Sequence, residues 1–166
     1  MPKLIVLRGN SGSGKSTVAK AVQEQVSPYP MLIEHDYIRR KVLKEKEGPG
    51  TINAELIYRM ITYAFEKERD VILEGILRID AYRTLFDRLI TMHPRDNYFY
   101  YFNIPFEETL KRHATKEGAD FNEADMRRWY KENEETGYIN EIIVEPTNTF
   151  DETVTQIIQE TSLTIK

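Results

Sequence analysis

The sequence predicts an α/β fold in which a parallel sheet is covered by helices. Three observations carry this. Short, almost continuously apolar runs recur along the chain, as strands buried on both faces require. Longer stretches with apolar residues at three- and four-residue spacing lie between them. The resulting strand–helix–strand alternation calls for right-handed crossovers.

Leu4-Ile5-Val6-Leu7 is the first strand, and Val18, Val22 and Val26 mark the first helix. Met31-Leu32-Ile33 is the second strand. Residues 45–50, with Gly48-Pro49-Gly50, read as a turn-rich loop between two helices. Ile52, Leu56, Ile57, Met60, Ile61, Ala64 and Phe65 form one helical stripe before the third strand, Val71-Ile72-Leu73. Leu85, Leu89 and Ile90 give a further helix. Residues 98–104 are an aromatic fourth strand, read as core rather than as a base-stacking platform. Pro105 suits the first turn of the helix that carries Leu110 and Ala114. Residues 139–144 are a last strand, and Val154, Ile157 and Ile158 lie on a closing helix. Residues 115–131 break the pattern. They are strongly charged, hold Arg127, Arg128, Trp129 and Tyr130 together, and read as a surface insertion outside the core.

A chain of 166 residues suits one domain, here residues 1–166, burying roughly two-thirds of the surface its unfolded chain exposes. With Lys+Arg 23 against Asp+Glu 27, the net charge of −4 argues against nonspecific binding of nucleic-acid backbone as the main activity. A local basic groove stays open. The absence of cysteine excludes disulfides, thiolate catalysis and iron–sulfur clusters. The apolar run at the start is too short for a signal-peptide core or a membrane span, so the expectation is a cytoplasmic protein with no membrane partner. His35, His93 and His113 show no metal-ligand spacing. The oligomeric state is left open.

The chemistry concentrates in Gly9-Asn10-Ser11-Gly12-Ser13-Gly14-Lys15-Ser16, followed by Thr17, a full match to G-x-x-x-x-G-K-[ST] between a strand and a helix. Glycines let successive N–H groups curl around a phosphate, and the helix N-terminus adds partial positive charge. Lys15 then reaches the β- and γ-phosphates, and the Ser16 hydroxyl ligates Mg²⁺. Burying little, Lys15 is expected to be dispensable for folding. The competing reading is a Gly/Ser-rich turn with no ligand. A nucleotide-binding switch is a further alternative, but no glycine has an Asp three residues before it and no Asn precedes a Lys, so the usual switch and guanine motifs are missing.

In an open α/β sheet, ligands bind outside the carboxyl ends of the strands. Those ends are Gly9, Asp36, Glu74 and Asn103, which brings two carboxylates to the phosphate loop. Val71-Ile72-Leu73-Glu74 has the form of a Walker-B strand. Glu74 there holds a magnesium-bound water or a substrate hydroxyl, or else accepts N–H bonds in the next turn. Asp36 can take the proton of an acceptor hydroxyl, or it can cap the helix that starts at Tyr37.

The chain resembles the small P-loop kinases near chloramphenicol phosphotransferase, the zeta toxins and polynucleotide 5′-kinase. Beyond the phosphate loop, the resemblance rests on Glu34-His35-Asp36-Tyr37-Ile38-Arg39-Arg40, on Val71-Ile72-Leu73-Glu74-Gly75, and on Pro105-Phe106-Glu107-Glu108-Thr109-Leu110-Lys111-Arg112-His113. It implies a three-layer α/β/α fold, a five-stranded parallel sheet in order 2-3-1-4-5, and a mobile helical lid at residues 115–131. It also implies ATP and Mg²⁺ as cofactors and transfer of the γ-phosphate to a hydroxyl of a small molecule. A nucleoside or polynucleotide 5′-hydroxyl is the alternative acceptor. Asp36 takes the part of catalytic base, Arg112 stacks on adenine, and Arg127 or Arg128 reaches the transferring phosphate unless both merely solvate a basic face. Arg39, Arg40 and Glu74 complete the acceptor side.

Overall fold

In the computed structural model the apolar runs pair as five strands: β1 (Leu4–Gly9), β2 (Met31–Glu34), β3 (Val71–Gly75), β4 (Asn97–Phe102) and β5 (Glu141–Val144). All pairings are parallel and the order is β2-β3-β1-β4-β5, the order the resemblance implies. The structure describes every residue except 47, 49, 93, 116–120, 133, 135, 136, 138 and 139. Glu47, Pro49, His93, Ile139 and part of the expected lid therefore lie outside the described residues.

Strand periodicity divides the core into two layers. Leu4, Val6, Leu73 and Phe99 face α3 (Ile52–Glu66) and α4 (Ile79–Met92), where Ile57, Ile61, Leu85 and Leu89 are buried. Ile5, Leu7, Ile72 and Tyr100 face the other way, toward α1 (Lys15–Gln25) and α7 (Phe150–Glu160), against Val18, Val22, Val154 and Ile157. Thr149 opens α7 with a reciprocal capping box to Glu152.

Several boundaries differ from the sequence reading. β2 runs on to Glu34. β4 stops at Phe102, short of Asn103 and Ile104, although the Asn103 N–H still donates to the Val144 carbonyl of β5 at 3.0 Å. Pro105 caps α5 (Phe106–Ala114) rather than lying within it. After β2 the chain turns at once into α2 (His35–Tyr37) and a π-helical turn, Ile38–Val42. The insertion is not wholly superficial: it carries α6 (Glu123–Trp129), whose Met126 is 2% exposed. One apolar residue per turn is enough to dock a short helix, and the surrounding charges hid it in the sequence.

Arg8 interrupts the apolar β1 and is fully buried. Its Nε donates to Glu141 Oε1 at 2.8 Å, one guanidinium NH to the Leu77 carbonyl at 3.3 Å, and its plane lies 5.0 Å from the Tyr101 ring. This pair ties β5 to the central strand. Among the described residues no helix is long and apolar enough to cross a membrane.

Candidate active site

The loop between β1 and α1 needs glycine where it turns. Gly12 has φ +77°, and a Cβ there would lie 2.7 Å from the Thr109 carbonyl oxygen and 3.0 Å from the Met126 methyl. Gly14, at φ +95°, precedes α1, so the first-turn N–H groups of an eleven-residue helix open onto the loop. Ser13 and Lys15 are buried. Lys15 is 6% exposed, against the expectation that it buries little, and its Nζ donates to the Asn10 carbonyl at 2.9 Å. The Asn10 side chain reaches the other way. Its Oδ1 accepts the Lys131 N–H and its Nδ2 donates to the Lys131 carbonyl, at 3.1 and 2.7 Å.

The Ser16 hydroxyl donates to Glu74 Oε2 at 2.9 Å. Glu74 is 4% exposed, at the end of β3. Burial raises its affinity for a proton, and this outweighs the Lys15 charge and the Ser16 hydrogen bond, which act the other way. Hydroxyl and carboxylate converge as a hard oxygen pair, the donor type that Mg²⁺ takes.

Two cavities flank this loop. The first, about 570 Å³, is bounded by residues 12–18 of the loop and α1, including Thr17, by Phe102 at the end of β4 and Ile104 beyond it, and by Asn148 and Thr149. Arg112 borders it, held by Glu108 at 3.1 Å and by the Ser13 carbonyl at 2.9 Å. The second, about 510 Å³, is lined by Ser11, Asp36, Arg39, Arg40, Lys46 and Arg128, with an aromatic wall of Phe121 and Trp129.

Asp36 does not cap a helix, since the capping position belongs to Glu34, whose side chain makes no cap bond. Its carboxylate instead accepts from Arg39 at 2.8 Å and Arg40 at 3.3 Å. Residues three and four positions on share a helical face with Asp36, so both guanidiniums reach one acid. Burial acts to raise Asp36, but the hydrogen bonds and charges of Arg39 and Arg40 prevail and hold the carboxyl below its usual range. Arg127 and Arg128 separate. Arg128 lines the second cavity and pairs with Asp125 at 3.1 Å. Arg127 lines neither described cavity; it pairs with Glu123 at 3.1 Å and lies 4.5 Å from the Phe106 ring.

The sequence did not disclose a polar chain behind Asp36. His35 Nε2 meets the Tyr82 hydroxyl at 2.6 Å, Tyr82 donates to Asn53 Oδ1 at 3.0 Å, and Asn53 Nδ2 donates to Glu45 Oε2 at 2.8 Å. Burial, reinforced by the Arg39 charge, lowers His35 to about 4, so it is neutral at physiological pH. Close approach of Gly75 makes room for its ring. The one available signal was Asn53, a polar residue on a helical stripe, and nothing local ties it to Tyr82.

A family model described as an AAA domain matches residues 4–135. No curated protein matches the chain. Among solved structures, a sugar kinase from Janibacter is 17% identical, with TM-score 0.69 over 98% of this chain and 96% of its own. The tunicamycin resistance protein of Deinococcus radiodurans is 16% identical, with TM-score 0.69 over 99% and 98%. An APS kinase of Mycobacterium tuberculosis, solved with AMPPNP and APS, is 18% identical, with TM-score 0.64 over 95% and 96%. These likenesses establish the three-layer α/β/α fold of the small P-loop kinases.

Proposed function

The chain belongs to the AAA domain family, and from that premise we propose that it is an ATP-dependent phosphotransferase acting on a hydroxyl of a small molecule. The observation that carries the reading is one phosphate loop between two cavities, with Gly12 to Ser16 bordering the first and Ser11 with Asp36 the second. A related fold solved with AMPPNP and APS together supports assigning one cavity to each substrate.

The nucleotide occupies the first cavity, its phosphates on the N–H groups of residues 9–14 and its base against Arg112, whose planar guanidinium suits stacking. Lys15 leaves the Asn10 carbonyl for the β- and γ-phosphates. Ser16, supported by Glu74, would hold Mg²⁺, which would supply positive charge to offset that of the phosphates. The acceptor hydroxyl attacks the γ-phosphorus, the bond to the ADP oxygen breaks, and the hydroxyl proton passes to Asp36. Because phosphoryl transfer runs through a loose transition state, Asp36 chiefly orients the hydroxyl. A carboxylate kept anionic by two arginines suits that work. Arg128 faces the transferring group, and residues 115–131 act as the lid that excludes water.

The test is ATP consumption across a panel of nucleosides, sugars, aminoglycosides, other antibiotics and short oligonucleotides. A kinase consumes ATP faster with one acceptor class. A rate indifferent to every acceptor contradicts the reading.

A further inference from the structure

The second cavity is charged in a way that its proposed catalytic part does not require. Arg39, Arg40, Lys46 and Arg128 line it, against Asp36 alone. Of the nearby acids, Asp125 pairs with Arg128 and offsets that cation, Glu74 accepts from Ser16, and Glu45, whose charge also acts on Arg39, accepts the Ile52 and Asn53 N–H groups at 2.6 and 3.0 Å. Arg39 Nε is buried and has no hydrogen-bond partner, and Lys46 pairs with no carboxylate among the described residues. Asp36 answers two guanidiniums with one charge, so the wall keeps a surplus of positive charge and unused donors. Clustered cations in a cleft repel one another, and a bound anion relieves this. Phe121 and Trp129 also line the cavity, meet edge to face at 5.4 Å and present apolar surface.

Resting on the kinase reading, we propose that the acceptor is itself an anion: an alcohol that carries a carboxylate or phosphate group. The anionic group sits between Arg40 and Lys46, the alcohol lies against Asp36, and Arg128 is left to the transferring group. Arg39 bridges the two by holding Asp36 through one nitrogen. A neutral alcohol leaves the cations without a counterpart, so the wall selects by charge as well as by shape.

Trp129 is the chain's one tryptophan and lines the cavity, so its fluorescence reports occupancy directly. The protein is saturated with MgADP, which fills the phosphate loop, and titrated with matched pairs: gluconate and glucose, glycerate and glycerol, AMP and adenosine. At least one anion is expected to give a saturable change with a Kd about tenfold or more below that of its neutral counterpart. Arg40→Gln and Lys46→Gln should each raise that Kd about tenfold, and added salt should raise it for wild type but little for the double variant. Neutral members binding as tightly as their anions would overturn the proposal. So would no saturable response to any anion, or anion binding untouched by both substitutions. The kinase reading fails separately: an anion that binds in this way but accepts no phosphate from ATP leaves a charge-selective site without phosphotransfer. Phosphorylation of neutral alcohols alone would sink the anion proposal and leave the kinase reading standing.

Discussion

Asp36→Asn removes one charge from the wall of the second cavity at nearly constant volume. In the wild type the Asp36 side chain is 48% exposed and makes an i,i+3 pair with Arg39 and an i,i+4 pair with Arg40. Exposed pairs of this kind contribute about 0.3–0.5 kcal/mol each. Asparagine keeps one carbonyl acceptor for a guanidinium, so the total loss stays under about 1 kcal/mol, or roughly 2–4 °C in Tm for a chain of this size. Loss of a general base acts on a different scale: about a hundredfold or more in kcat, equivalent to about 2.7 kcal/mol of barrier. KM for the acceptor should change less than kcat. Thermal melts and steady-state ATP consumption on the same preparation measure both quantities. Because Arg39 and Arg40 hold Asp36 below the usual carboxylate range, wild-type turnover should persist on the acid side until pH falls through that lowered value. The stabilising contribution follows the same sign, present above the unfolded-state value and lost below the folded one. A fully active Asp36→Asn enzyme would move the base to Glu74. A variant that loses activity together with its fold would refute the claim that the two arginine contacts are structurally minor.

Glu74→Gln tests the buried acid with the opposite sign. Its folded-state pKa is raised, so the wild type is penalised as pH climbs from the unfolded value through the folded one, and the Gln variant should gain on it in Tm over that interval while losing phosphotransfer. A Tm difference independent of pH would show that Glu74 is not the group responsible. Arg8→Met leaves Glu141 without its buried guanidinium and should cost about 3–5 kcal/mol in chemical denaturation. Adding Glu141→Leu should recover part of this, and a fully additive double variant would contradict the pairing. Arg128→Ala should lower kcat far more than Arg127→Ala, since of the two only Arg128 lines the second cavity; equal, small effects would return both to a solvated face.

The fold was legible because its determinants are local. Two-sided strands announce themselves as apolar runs, and the phosphate loop is a contiguous motif whose glycines meet steric demands, as Gly12 does against Thr109 and Met126. The sheet order came from the resemblance alone, since periodicity says which residues are strands and not which strands are neighbours. Asp36, Glu74 and Arg128 were foreseeable as residues near strand ends or on a charged segment. The contacts that discriminate them were not. That Arg128 and not Arg127 lines the second cavity follows from how α6 docks through Met126, and the Ser16–Glu74 contact depends on the register of β3 beside β1. The buried links from Arg8 to Glu141 and from Asn10 to Lys131 join residues more than a hundred positions apart. No local pattern encodes such pairs.

The central claim is movement of a phosphoryl group from ATP to an alcohol across this loop, and it is tested most directly by following label from γ-labelled ATP in the presence of an acceptor that stimulates consumption. The account predicts that label appears on the acceptor in step with ADP. Lys15→Met should lower this transfer by several orders of magnitude. Label released only as inorganic phosphate at a rate indifferent to acceptor, or transfer by Lys15→Met at the wild-type rate, would contradict it.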